Sequence, residues 1–149
     1  MNKLNAALII LVFVGIAALF IKFHSDKKSS FVEIDNVKFS VDIATTKEEQ
    51  AKGLAVYKSL PQDRGMFFPF QTPDYYAFWM KDMKFPIDII FIYKNRITDI
   101  FKNVPVSKSQ NEILPLYKPK SPSDGVLEIN AGLAKQYNFK IGDFVKISY

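Results

Sequence analysis

The sequence predicts a small, mainly β (α+β) domain, a mostly antiparallel barrel or sandwich with one or two short helices, preceded by an N-terminal transmembrane helix. About seven short segments rich in β-branched and aromatic residues lie between Gly, Pro, Asn and Asp turn signals. Only two stretches carry helix signals, and two short helices cannot cover both faces of a parallel sheet. An apolar run near the start stands apart from the rest of the 149 residues.

That run, residues 4–23, is interrupted only by Asn5 and Lys22. A membrane-spanning helix needs about 20 apolar residues at about 1.5 Å each to cross about 30 Å of hydrocarbon. The alternative is a cleaved signal peptide, for which Gly15 and Ala17 supply small residues, although the apolar run continues beyond them. The sequence therefore predicts that the protein contacts a membrane through residues 4–23.

The expected organisation has three parts: 1–23 as anchor or signal peptide, 24–30 as a polar tether, and 31–149 as a single β-rich domain. Lysines flank both ends of the apolar run and give no clear orientation. A very short N-terminal tail usually stays in the cytoplasm, which favours an extracytoplasmic domain on the membrane, or a secreted one if the segment is cleaved.

The first half of the domain predicts two strands, a helix and two further strands. Residues 31–34 and 37–44 flank Asp35-Asn36, a pair suited to a tight turn. Thr46 and Glu49 form a capping box, and Gly53 is a natural helix stop. Further strands are predicted at 64–68, ended by Pro69, and at 75–80.

The second half predicts a central strand at 87–93, apolar on both faces apart from Asp88, with a hairpin partner at 97–101. Residues 103–125 contain four prolines, which predict a long excursion with at most an edge strand around Ile113. Strands follow at 126–129 and 144–148, with Asn130 as the expected N-cap of a short helix between them.

Composition excludes several chemistries. The chain has no cysteine, and its one histidine, His24, lies in the tether just outside the apolar run. We therefore expect no thiol nucleophile, no Ser-His-Asp triad and no histidine-rich zinc site. Among six glycines there is no phosphate-binding loop. The net charge of +5 comes without a basic run, so nucleic acid is not an expected partner. We expect no metal and no cofactor.

The most informative block is 78–88, which holds the only tryptophan together with two lysines and two carboxylates. Asp88 stands beside isoleucines, where an ionised carboxylate costs several kcal/mol unless it is paired or hydrogen-bonded. Lys81 and Arg64 are candidate partners for it. The alternatives are a structural ion pair or a carboxylate that accepts backbone amides from the preceding turn.

Trp79 and its aromatic neighbours predict either core packing or a stacking platform for a sugar or another flat ligand. Glu128 lies on the face of its strand opposite Leu127 and Ile129. Two alternatives remain open for it, a solvated outer-face residue and a pocket residue. The candidate ligand-binding set is Trp79, Lys81, Asp82, Asp88, Arg64, Glu128 and Asn130, and the weak catalytic candidates are Asp88 and Glu128.

Three ordered stretches resemble the domain-of-unknown-function 192 family of small bacterial and archaeal domains. They are Gly53-Leu54 with Arg64-Gly65-Met66-Phe67-Phe68, then Phe78-Trp79-Met80-Lys81 running into Pro86-Ile87-Asp88, and last Leu127-Glu128-Ile129-Asn130 with Gly142-Asp143. The resemblance covers roughly 41–149 and implies a compact β fold, often behind a signal or anchor, without an established activity. Asp82-Met83 departs from the Asn-Thr that the family pattern usually has there.

Three functions remain open on the sequence. The first is an anchored ligand-binding or accessory module of the cell envelope, for a small molecule or glycan. The second is an enzyme that uses Asp88 and Glu128 as acid and base, which requires both carboxyl groups to face one cavity about 5–10 Å apart. The third is a structural or protein-binding module. The sequence does not identify the oligomeric state.

Overall fold

A computed structural model of the protein describes residues 30–107 and 113–149. In this part of the chain seven strands and two short helices follow one another. In chain order they are β1 (Phe31–Ile34), β2 (Val37–Ile43), α1 (Lys47–Lys52) with a 3₁₀ turn (Gly53–Val56), β3 (Arg64–Asp74), β4 (Ile87–Tyr93), β5 (Arg96–Val104), β6 (Ser123–Asn130), α2 (Leu133–Gln136) and β7 (Val145–Ser148).

The strands form one curled half-barrel sheet in the order β5-β4-β6-β3-β2-β1-β7. All neighbours are antiparallel except β2 and β3, which run parallel. The curl brings the two edges together, since Arg96 of β5 bridges to Phe144 and the Val145 N–H donates to the Asn95 carbonyl at 2.8 Å. The predicted mainly β, mostly antiparallel architecture is confirmed.

Local sequence signals explain two of the connections. Asp35 and Asn36 both adopt positive φ, of 47° and 67°. A two-residue hairpin turn requires this so that its twist matches the twist of the two flanking strands. The Glu49 N–H donates to the Thr46 hydroxyl at 3.2 Å, and the Thr46 N–H donates to the Glu49 carboxylate at 2.8 Å. This is the predicted capping box, and α1 ends at Gly53 as expected.

The curled sheet has an apolar cluster on each face. The concave cluster includes Phe39, Ile90 and Ile129, and α2 contributes Leu133 to it. The convex cluster includes Phe68, Ile89 and Phe91, and it is covered by Leu54 of the 3₁₀ turn and by Phe78 and Met80 of the segment before β4. Because β4 is buried over nearly its whole length, it is the central strand that the sequence predicts.

Several predicted boundaries are wrong. Residues 75–80 form no strand and make only the isolated bridge between Phe78 and Tyr117. β3 continues through Pro69, where an irregularity in the pairing with β6 tolerates a residue without a backbone N–H. Asn130 is not an N-cap, because α2 begins after Gly132. Ile113 lies in an irregular segment, which agrees with the prediction of at most an edge strand there.

The predicted anchor at 1–23 and nearly all of the tether lie outside the described residues. Among the described residues, no helix has the length and apolar character that a membrane span requires.

Candidate functional site

The register of β4 with β6 places the two carboxylates that the sequence singled out, Asp88 and Glu128, on opposite faces of the sheet. Asp88 pairs with Ile129, and Ile89 pairs with Glu128. Directly opposed residues of an antiparallel pair share a face, and successive residues alternate. Asp88 therefore lies on the concave side and Glu128 on the convex side. The predicted acid–base pair is wrong, because these carboxyl groups do not face one cavity.

Asp88 is fully buried and fully hydrogen-bonded. Its Oδ1 accepts the backbone N–H groups of Asn103 at 2.7 Å and Gly132 at 3.1 Å, and its Oδ2 accepts that of Ala134 at 2.8 Å. Three amides at these distances are strong, charge-assisted partners for a carboxylate. Asp88 thus joins β4 to the end of β5 and to the start of α2.

The predicted need for partners is confirmed, but the expected partners of Asp88 are wrong. Its amides come from sequence-distant segments and not from the preceding turn. Arg64 bonds Asp42 at 2.9 Å, and the Tyr57 hydroxyl donates to the same carboxylate, which raises the pKa of Tyr57. Lys81 is exposed, with its Nζ 5.5 Å from the Trp79 ring centroid.

Glu128 is buried to a similar degree, with 4 % of its surface exposed, yet its Oε2 has no hydrogen-bond partner. Burial raises the pKa of Glu128 to about 8, against the opposing effect of a hydrogen bond from the Leu54 backbone. At neutral pH the side chain is accordingly a neutral carboxylic acid, which can donate one hydrogen bond as well as accept.

A small cavity of about 20 Å³ adjoins Glu128. That volume is enough for about one water molecule or one small polar group. We name it the Glu128 cleft, and its lining residues are Gln50, Ala51, Lys52, Gly53, Leu54, Phe78, Trp79, Lys81, Met83 and Glu128.

A wider groove of about 250 Å³ continues from the Glu128 cleft, because the two share Gln50, Ala51, Phe78 and Trp79. Phe70 and Tyr76 line its far part and stack on each other with ring centroids 3.5 Å apart. Groove and cleft together have the composition of a small-molecule site, with apolar walls and a few polar groups.

Gly53 makes the cleft possible. Its φ of 50° is a conformation that residues with a Cβ rarely adopt, and an added Cβ would lie 3.3 Å from the Glu128 Oε2. Sequence reasoning assigned Gly53 only the role of helix stop. The available signal was its position in the first stretch of the family resemblance, next to Leu54.

The structure brings three of the predicted site residues together: Trp79, Lys81 and Glu128 all line the cleft. The other four do not join them. Asp88 and Arg64 have the structural contacts described above, Asn130 donates to the Leu60 and Pro61 carbonyls at 2.8 and 3.1 Å, and Asp82 is exposed in a turn. Met83, which stands where the family pattern usually has Thr, contributes an apolar side chain to the wall of the Glu128 cleft.

Among the described residues, no group of three or more His, Cys, Asp or Glu side chains is arranged to hold a metal ion. The groups that line the Glu128 cleft include a neutral carboxyl, two lysine side chains and aromatic rings.

The model of the DUF192 family, described as an uncharacterised ACR family, matches residues 30–147. The chain belongs to the DUF192 family. The match spans the whole described sheet, including the residues that line the Glu128 cleft. Among curated proteins, no relative matches this DUF192 protein.

Two crystal structures are similar to this DUF192 protein. One, a protein of unknown function from Novosphingobium aromaticivorans DSM 12444, is 34% identical, with 79% of this chain and 83% of that chain covered and a TM-score of 0.67. The other, from Sinorhizobium meliloti 1021 and named as a candidate transcription regulator, is 26% identical, with 79% and 91% covered and a TM-score of 0.68. Both support the observed fold.

Proposed function

We propose that this DUF192 protein is a ligand-binding module of the cell envelope, held at the membrane by residues 4–23. Its ligand is a small hydroxylated molecule, a sugar or another polyol, that lies in the adjoining groove of about 250 Å³ and extends one hydroxyl group into the Glu128 cleft. The protonated Glu128 donates a hydrogen bond to a ligand hydroxyl oxygen. The single observation that carries this proposal is the buried Oε2 of Glu128 without a partner beside an accessible cavity.

An unsatisfied buried carboxyl costs about 1–3 kcal/mol, so stability alone does not account for it. A ligand hydroxyl in the adjoining space would supply the missing hydrogen bond and recover that cost on binding. Strained or unsatisfied groups of this kind concentrate at functional sites. By contrast, Asp88 shows that this fold satisfies a buried carboxylate fully where the role is structural.

The other cleft residues support a hydroxylated ligand over a cationic one. Lys52 and Lys81 both line the cleft. The Lys52 Nζ is paired with Glu48 at 2.7 Å, so it is mainly the ammonium group of Lys81 that disfavours a positively charged ligand. Trp79 offers a half-exposed ring for stacking against the apolar face of a sugar. Lys81, beside that ring, is placed to orient a ligand that also carries a negative group.

Binding is favoured over an acid–base enzyme and over a role in transcriptional control. The acid–base mechanism lacks its second carboxyl in the cleft, because Asp88 lies on the opposite face. The name of the Sinorhizobium relative suggests transcriptional control, but α1 and α2, with six and four residues, are too short to act as a recognition helix. Those two helices are the only ones among the described residues.

The test uses the full chain in detergent micelles and follows ligand binding through the melting temperature and the fluorescence of Trp79. Neutral sugars, acidic sugars and linear polyols are screened at pH 6.5, where Glu128 is protonated. A specific ligand at 100 times its Kd stabilises the protein by about 2.7 kcal/mol. The variants are Glu128→Gln, which retains a neutral donor, and Glu128→Leu, which does not. Asp82→Asn is the matched control, since Asp82 is exposed in the same block.

For the wild type we expect affinity to fall above pH 8, because the ionised carboxylate no longer donates. Glu128→Gln should bind with no such decrease, and Glu128→Leu should not bind. Affinity that rises between pH 6 and 9 would identify a cationic ligand and overturn the proposal. So would a Glu128→Leu variant that folds and binds like the wild type.

A further inference from the structure

One exposed face of the domain combines aromatic, aliphatic and basic side chains. It is built from segments 75–79 and 116–118, which lie side by side. The Phe78 N–H donates to the Tyr117 carbonyl at 2.9 Å, and the Tyr117 N–H donates to the Phe78 carbonyl at 2.8 Å. We name it the aromatic–basic face, with the residues Tyr75, Ala77, Trp79, Leu116 and Lys118, and with Lys81 beside the Trp79 ring.

Alternation along the two segments explains why these side chains point outward. Phe78 is buried in the convex cluster, and its bridge partner Tyr117 packs against the same cluster. Their sequence neighbours therefore point to the opposite side. Tyr75, Trp79 and Leu116 are exposed by 46%, 45% and 64%. Large apolar side chains grouped at this exposure indicate an interaction surface.

The charges on this face have one predominant sign. The Lys81 Nζ lies 5.5 Å from the Trp79 ring centroid, and the Lys118 Nζ lies 5.7 Å from that of Tyr75. Segments 74–84 and 116–120 together contain four lysines against two aspartates. An occupant of negative charge that also accepts aromatic and aliphatic side chains is complementary to this pattern.

We propose that the aromatic–basic face docks on an anionic lipid surface. Trp and Tyr are favoured at the boundary between headgroups and hydrocarbon, because each has an apolar body and a polar tip. Lysines beside them are attracted to anionic headgroups. Leu116, on the same face, supplies an aliphatic group to the hydrocarbon boundary.

The path of the backbone supports a membrane as the occupant. The Val41 N–H donates to the Ser30 carbonyl, and β1 is antiparallel to β2, so the chain enters β1 from the end of the sheet at which β2 ends. β3 is parallel to β2, with Phe67 opposite Ile43 at the end of β2, and it continues in the same direction to Asp74, directly before Tyr75. The point of entry from the apolar N-terminal sequence and the start of the aromatic–basic face therefore lie toward the same side of the sheet.

The chain contains a single tryptophan, Trp79, so the tryptophan fluorescence comes from this face, and the lipid test is carried out without added sugar or polyol. The full chain is reconstituted in vesicles of phosphatidylcholine with phosphatidylglycerol, with or without bromine on the acyl chains of the phosphatidylglycerol. We expect brominated vesicles to quench Trp79 emission at least about twofold, since an interfacial indole lies close to the acyl chains. Added salt should weaken the quenching.

Charge reversal separates this surface from general electrostatic attraction. Lys81→Glu with Lys118→Glu should abolish most of the quenching. Lys38→Glu with Lys135→Glu is the matched control, with the same change in net charge at exposed lysines on β2 and α2. It should leave the quenching unchanged. Emission that bromine does not affect, or an equal loss in both double variants, would overturn the proposal.

Glu128→Gln keeps the two proposals distinguishable. The substitution is buried and leaves every residue of the aromatic–basic face in place, so quenching by brominated lipid should stay as in the wild type. Loss of ligand binding with retained quenching would contradict only the proposed function, and the reverse result would contradict only the lipid surface.

Discussion

Asp88 of β4 and Glu128 of β6 lie on adjacent strands, one register step apart, and both are removed from water. On the concave face Asp88 accepts three backbone N–H groups from two separate segments. On the convex face the Oε2 of Glu128 accepts none, and a small cavity adjoins the carboxyl. The two carboxyl groups are therefore buried to a similar degree but differ in hydrogen bonding: both oxygens of Asp88 have partners, whereas one oxygen of Glu128 has none.

The comparison teaches that burial of an acid does not by itself indicate a site. What separates a structural carboxylate from a functional one is the count of hydrogen-bond partners against the number that the group can use. Asp88 connects β4 to two other elements and has no adjoining space. Glu128 has unused hydrogen-bonding capacity and a space where a ligand group fits, and this difference motivates the following predictions.

Asp88→Ala should have the largest effect on stability. The substitution leaves the N–H groups of Asn103, Gly132 and Ala134 buried without an acceptor, so we expect the free energy of unfolding to fall by about 3–5 kcal/mol. Urea unfolding of the full chain in micelles measures it. Asp82→Ala, at an exposed position, should change stability by less than about 0.5 kcal/mol. Equal effects of the two would refute the structural role of Asp88.

Glu128→Gln should change how stability depends on pH. The folded state holds the Glu128 proton up to about pH 8, whereas the unfolded state releases it near its ordinary value of 4.5. Between these values the folded state binds more protons, so stability falls as pH rises, by an amount on the order of a few kcal/mol. The Gln variant lacks this loss. Urea unfolding at pH 5 and pH 8.5 should show the difference, and parallel profiles would show that Glu128 is not a neutral acid.

The sequence carried much of this fold, for reasons visible in single residues. Asp35-Asn36, the Thr46–Glu49 capping box and the apolar run of β4 are local signals, and all three form as predicted. The strand predicted at 75–80 is wrong. The alternation of buried and exposed residues in this aromatic run comes from packing on the convex cluster and not from pairing within the sheet. Alternation alone does not distinguish these two causes.

The candidate site was predicted less well, because it depends on contacts between distant segments. Burial of Asp88 follows from its isoleucine neighbours, but its three amide donors lie 15 to 46 residues away. The side of the sheet on which Glu128 lies relative to Asp88 depends on the β4–β6 register, which no local pattern encodes. Trp79 and Lys81 were identified because the only tryptophan and several charged residues occur together in one short block. Gly53 and Leu54 contribute to the cleft mainly through where their backbone lies, and their residue types give no such signal.

Gly53→Ala should have a moderate effect on stability and a larger effect on the cleft. The backbone conformation of Gly53, with φ 50° and ψ −143°, costs a residue with a Cβ about 1–3 kcal/mol, and the added methyl group would lie 3.3 Å from the Glu128 Oε2. We expect ligand affinity to fall more than stability, as measured by thermal shift with and without ligand. Gly142→Ala is a matched control, since Gly142 also has positive φ but open space around it. Equal loss of affinity in both variants would show that Gly53 acts through the backbone alone.

Arg64→Met should have the smallest effect, and it extends the comparison to an exposed acid. Asp42 keeps the hydrogen bond from the Tyr57 hydroxyl at 2.5 Å when Arg64 is replaced. The Arg64 and Asp42 side chains are exposed by 42% and 36%, so solvent screens their attraction and the loss should be about 0–1 kcal/mol. Ligand affinity should not change, because Arg64 does not line the Glu128 cleft. A large loss of stability in chemical denaturation would mean that the number of partners matters for half-exposed carboxylates as well, and that burial does not separate Asp88 and Glu128 from the more exposed acids of this domain.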